Sequence, residues 1–149
     1  MSIGTHAHAQ EIRLEREALF ATLVDGFITR DFAVFDRAVR EDVLASLPGT
    51  SRLAGTHNGH EAFGRFVVAM RKILSSNDTA PTYTHEDDLM TVRHGLLVMG
   101  PRHQVEMSIE TQLRFDADGK VASCRVQPED LGLFDHVARS TLPFLSDLP

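Results

Sequence analysis

The chain has 149 residues, 42% of them hydrophobic and 24% charged, which places it with ordinary folded domains and excludes a disordered or fibrous chain. Its 15 Lys and Arg against 21 Asp and Glu leave a net charge of −6, so no basic footprint for a nucleic-acid backbone is present. A single cysteine, Cys124, rules out a disulfide framework and a cysteine-rich zinc site, and the longest apolar run, Phe66 to Met70, is far too short to span a membrane.

The first residues, MSIGTHAHAQ, lack the cationic start and apolar stretch of a secretory signal, so a cytoplasmic location is expected. Residues 1–10 are small and polar and are expected to be flexible. One domain is expected over 11–140, with a loose tail at 141–149. From Glu11 the pattern turns helical: Ile12, Leu19, Leu23 and Phe27 share one stripe, widened by Phe20, Val24 and Ile28. Thr29-Arg30-Asp31 interrupts it, and Asp31 is the expected cap of a short second helix carrying Phe32, Phe35 and Val39.

Val43 to Leu47 reads as a short strand that stops at Pro48-Gly49. A Gly-, Ser- and Thr-rich loop follows, with a brief strand near Arg52–Ala54. Asn58 and Glu61 have capping-box spacing ahead of a stripe of Phe63, Phe66, Val67, Met70 and Leu74, which predicts a third helix. Ser75 to Pro81 breaks it.

The second half changes its period to two. Strands are predicted over Thr82–Val92, Leu96–Met99, Gln104–Phe115 and Lys120–Gln127. In the third of these, Val105, Met107, Ile109, Thr111, Leu113 and Phe115 share one face and polar residues share the other. Asp116-Ala117-Asp118-Gly119 is the expected hairpin turn. Residues Glu129–Arg139 have the pattern of a terminal helix. An antiparallel sheet with one apolar face needs helices to cover it, giving a two-layer α+β domain. A sheet this long is expected to curl around its helices and to leave an apolar concavity.

Three segments give the chain its resemblance to a known group. They are the Arg30-Asp31-Phe32 break followed by Glu41-Asp42-Val43, the loop from Pro48 through Gly55 and Gly59 to Ala62, and the hairpin from Leu113 through Gly119 to Arg125, trailed by Pro128-Glu129-Asp130. In order and spacing they resemble the nuclear transport factor 2-like superfamily, in its SnoaL-like and ketosteroid isomerase-like branch. The resemblance implies a cone-shaped curved antiparallel (mixed) sheet wrapped around three helices, a cystatin-like α+β barrel, with a deep pocket. It also implies a homodimer formed through the sheet face. Where ketosteroid isomerases of this group carry a tyrosine, an aspartate base and a protonated aspartic acid, this chain has Leu23, Ser46 or Leu47, and Thr111. Where epoxide hydrolase-like and SnoaL-type members carry an aspartate on the last strand, it has Val126.

Candidates for chemistry must therefore come from elsewhere. The strand predicted over Thr82–Val92 holds His85, Glu86, Asp87 and Asp88. If Met90 and Val92 point inward, Glu86 and Asp88 follow; if Tyr83 and Leu89 do, His85 and Asp87 follow. An inward carboxylate beside another would have its pKa raised and could serve as acid or base. The alternative is a solvated polar row. Asp88 and His57 are the candidate catalysts, His57 as a proton shuttle near a pocket mouth, with His85 and Asp87 replacing Asp88 in the second register. His57-x-x-His60 lacks further ligands at metal spacing, so no metal site is expected, and no cofactor. The candidate pocket walls are Phe20, Leu23, Phe27, Leu44, Phe63, Phe66, Met70, Met107, Ile109, Thr111, Cys124 and Val126. The function expected is a pocket for a small apolar metabolite, with any reaction a cofactor-free isomerisation, dehydration or cyclisation. The alternative is a non-catalytic binding or accessory protein. Neither nucleic acid nor membrane is an expected partner.

Overall fold

The computed structural model describes residues 2–76, 79–100 and 104–141. The tail expected at 141–149 lies, apart from Thr141, outside the described residues. Among the described residues, four helices and seven strands follow in the order α1 (Ser2–Thr29), α2 (Ala33–Ala38), β1 (Val39–Leu47), β2 (Gly55–Asn58), α3 (His60–Ile73), β3 (Leu74–Ser76), β4 (Thr82–Glu86), β5 (Leu89–Met99), β6 (Gln104–Phe115), β7 (Val121–Pro128) and α4 (Leu131–Thr141).

Helix α1 begins at Ser2, well before the first apolar stripe residue, Ile12. Ala7, Ala9, Gln10 and Glu11 are strong helix formers, and once a helix is nucleated by packing further along, propagation through them costs little. Gly26 lets α2 approach α1: a Cβ there would stand 2.4 Å from Val34 Cγ2. At the start of α3, Gly59 rather than Asn58 occupies the cap, without a side-chain hydrogen bond, because Asn58 is paired with Leu44 in the sheet.

The sheet runs β2-β1-β7-β6-β5-β3, with β4 also pairing with β5. Pairing is antiparallel except for β1 with β7, which is parallel. The strand order corrects the expected architecture. The sheet neither closes into a barrel nor curls strongly, and four helices accompany it instead of three. The end strands account for the open form. β2 has 4 residues and β3 has 3, too few for a closing ladder, and β5 divides its far edge between β4 and β3.

The core lies on one face. Met90, Val92, Leu96 and Val98 of β5, and Met107, Ile109, Leu113 and Phe115 of β6, are buried beside Phe20 and Leu23 of α1 and Phe63, Phe66 and Met70 of α3. The opposite face of β6 is polar, whereas that of β5 mixes Thr91 and Arg93 with Leu89, Leu97 and Met99; Arg93, Arg114 and, on β7, Arg125 are exposed.

The segment predicted as a single strand over Thr82–Val92 is a hairpin. Glu86 pairs with Leu89, and Asp87-Asp88 is a two-residue loop with Asp87 at φ 54°. A positive φ at the first loop residue suits such a tight turn, and Asp tolerates it better than most residues. The turn resolves the register question in a way that one strand could not. Odd positions of β4 (Tyr83, His85) and even positions of β5 (Met90, Val92, His94) occupy the same face, because Tyr83 pairs with Val92 and His85 with Met90.

Candidate functional site

Between the sheet and its helices lies a cavity of about 130 Å³. Its roof is the second half of α1, through Phe20, Leu23, Val24, Phe27 and Ile28. Phe63, Phe66 and Met70 of α3 form one wall, and Phe35, Val39, Leu74 and Ser76 edge it. The floor is sheet: His94 and Leu96 of β5, Ile109, Thr111 and Leu113 of β6, and Val121, Cys124 and Val126 of β7. The alternation of β6 produces this floor, since its even-numbered residues face away from the helices.

Two of the candidate wall residues lie elsewhere. Leu44 is 41% exposed on the outer face of β1, where Val43, Ala45 and Leu47 take the inner one. Met107 is buried opposite Leu96, beyond the cavity.

Among the described residues, no carboxylate, lysine or arginine lines the cavity. The titratable groups are His94 and Cys124, and burial holds both neutral. It pulls the His94 imidazole down to about 4 and pushes the Cys124 thiol up to about 12. His94 meets Phe20 edge to face, with ring centroids 5.4 Å apart. Its Nε2 is buried and has no hydrogen-bond partner among the described residues. A buried polar atom left unpaired costs roughly 1–3 kcal/mol, so it is uncommon in a folded chain. The residue pattern does not single out His94: it predicts one strand ending at Val92 and another starting at Leu96, with Arg93-His94-Gly95 between them. The available signal was parity: His94 continues the row Met90, Val92, Leu96, Val98.

The polar candidates named from sequence separate from one another. Asp88 sits in the hairpin turn, about half-exposed, and accepts a 2.6 Å ion pair from Arg114. Asp87 is exposed, and its backbone carbonyl accepts from Arg16 Nη1 at 2.8 Å. His57, on β2, donates from Nε2 to the Leu53 carbonyl at 2.7 Å and lies against the Phe66 ring at 4.7 Å. His60 donates to the Val39 carbonyl at 3.1 Å, so the two histidines serve separate backbone groups. His85 faces α1 and is nearly buried. Its Nε2 donates to Glu17 Oε2 at 2.7 Å, while its buried Nδ1 has no partner among the described residues. Beside it, Tyr83 packs edge to face on Phe20 at 6.0 Å, and burial, then the Glu17 charge, raises its phenol. Neither His85 nor Glu17 lines the cavity; Phe20 stands between the two groups, touching Tyr83 on one side and His94 on the other.

No protein-family model matches the chain, and no curated protein matches it. Solved structures do. A nuclear transport factor 2-like protein from Burkholderia xenovorans LB400 superposes with a TM-score of 0.69 at 21% identity, over 86% of this chain and 96% of that one. TerC, co-crystallised with polyporic acid, gives 0.70 at 21% identity over 84% and 98%. SalBIII, an epoxide hydrolase/cyclase-like enzyme with a role in pyran ring formation in polyether salinomycin, gives 0.63 at 14% identity over 78% and 92%. The chain has the nuclear transport factor 2-like fold, shared with polyketide cyclase-like proteins. No helix among the described residues is long and apolar enough to cross a membrane.

Proposed function

We propose that this chain binds a small apolar metabolite in the cavity beneath α1 and does so without transforming it. The observation that carries this reading is the lining: apolar side chains with His94 and Cys124 as the titratable groups, both held neutral by burial. Thr111 and Val126 stand in that lining at the positions where the resemblance would put catalytic aspartates. An imidazole pulled down to about 4 is a poor base at neutral pH, because general catalysis works best when the pKa lies near the operating pH. Pockets of this character, apolar with a few polar groups that set orientation, suit ligand recognition.

The test is isothermal titration of the full chain with toluene. Saturable binding that is lost when Val126→Phe fills the cavity is the expected result, and no binding at any attainable concentration would refute it. Incubation with a panel of enones and epoxides should give turnover no faster than buffer.

A second reading, a cofactor-free isomerase, dehydratase or cyclase, rests on one observation, the 2.7 Å His85–Glu17 pair beside Tyr83. It requires turnover of a panel member that falls at least a hundredfold in Glu17→Gln, the lower end of what a positioned acid or base contributes, roughly 10²–10⁴.

A further inference from the structure

We propose that the cavity selects an uncharged molecule of about the size of one six-membered ring that carries a single hydroxyl or carbonyl oxygen, and that this oxygen hydrogen-bonds the His94 imidazole. The inference rests on the binding reading above and adds the ligand's size, charge and polar group.

Size comes first. A dry apolar cavity of about 150 Å³ in another protein accommodates benzene, and the cavity here, about 130 Å³, is of that order.

Charge is decided by what the walls lack. A carboxylate moved into apolar surroundings needs a counter-charge, and among the described residues no lysine or arginine lines the cavity. Arg71, which bonds three of the lining residues, is already engaged: its guanidinium donates to the carbonyls of Phe27, Ile28 and Leu74 at 3.0, 3.3 and 3.1 Å.

The polar group follows from His94. A neutral imidazole presents one donor and one acceptor whichever nitrogen holds the proton, so it can meet a hydroxyl or a carbonyl. Its Nε2 is unpartnered among the described residues, and Phe20, which packs on the ring, also lines the cavity. That nitrogen is closed off in the folded chain, so a guest oxygen reaches it only as the Phe20 ring gives way, and it would then satisfy a group that the chain leaves orphaned.

Phenol, toluene and benzoate, nearly the same size, form the test set. They are titrated into the full chain at pH 7.5 with heat and the His94 ring ¹⁵N shifts as readouts. Phenol is expected to bind about five- to tenfold more tightly than toluene, the increment of one net hydrogen bond, and benzoate at least tenfold more weakly than phenol. Phenol, and not toluene, should move the His94 ¹⁵N signals. His94→Leu should abolish the phenol preference while keeping toluene binding, and His94→Gln should restore part of it. Benzoate binding as tightly as phenol, or a phenol preference that survives His94→Leu, overturns the proposal. If the leucine variant does not fold, wild-type ¹⁵N signals that stay still under saturating phenol overturn it equally. Failure of toluene itself to bind is a different result and removes the binding reading beneath it.

Discussion

Asp135 and His94 are both polar side chains drawn into the same core, and they are treated in opposite ways. Asp135, on α4, is only 6% exposed, and its carboxylate accepts from Thr50 N–H at 2.9 Å, Thr50 Oγ1 at 3.3 Å and Ser51 N–H at 3.3 Å. Arg139 in turn donates to Thr50 Oγ1 at 2.6 Å. Gly49 makes room for the arrangement: at φ 111°, a Cβ on it would stand 2.4 Å from Asp135 Oδ1. The carboxylate thereby ties the terminal helix to the loop after β1. His94 has a buried nitrogen with no such partner and a cavity beside it. A buried polar group with its bonds filled is part of the architecture; one beside an apolar space with a bond unfilled marks where a guest belongs.

The largest expected effect sharpens this contrast. Asp135→Ala strands the buried Ser51 N–H at about 1–3 kcal/mol and leaves the part-buried Thr50 N–H to solvent, so urea unfolding should show a loss of about 1–3 kcal/mol. Ligand affinity, corrected for the folded fraction, should stay unchanged. A mild loss would mean that the loop finds other partners and the contrast is overstated.

Next comes pH. The folded His94 sits near 4, below the ordinary value of about 6.5, so the unfolded chain takes up its proton first as pH falls. Its contribution to stability is complete above about 6.5 and is lost as pH drops toward 4, by up to about 1.4 kcal/mol per pH unit. Denaturation midpoints of wild type and His94→Leu should diverge across that window, with the variant the flatter. Parallel curves would break the comparison.

At neutral pH, His94→Leu should leave stability unchanged or raise it by about 1 kcal/mol, since it removes an unpaired buried nitrogen. The smallest effect belongs to Glu17→Gln. The carboxylate is about a third exposed, so losing its charge in the His85 pair should cost no more than about 1 kcal/mol by thermal unfolding.

Much of the frame is legible in the residue pattern. β6 spans Gln104–Phe115 as its strict alternation predicts, because a half-buried strand must obey period two. Asp116 Oδ1 accepts from the Asp118 and Lys120 amides, and Gly119 adopts φ 80°, as the turn sequence requires. The open sheet was not legible: whether edges meet depends on the lengths of end strands and on pairing between distant segments, and β3 is a three-residue strand hidden in an apparent helix break. The bend within 82–92 is hard to see in the sequence for a local reason. Asp-Asp without glycine is a weak turn signal, and one missed bend inverts the parity of everything before it. That bend moved Asp88 to an ion pair with Arg114 and put His85 and His94, nine positions apart and of opposite parity, on one face.

Helix α1 is fastened near both ends of its packed length. Arg16 and Glu17 hold one end to the β4–β5 hairpin, and the Arg71 guanidinium grips the Phe27 and Ile28 carbonyls at the other. A beam fixed at two points does not swing like a flap. The space below it is partly open to solvent, so a guest can enter without any movement of the helix, and loosening either clasp should change the fit of a guest more than its path in.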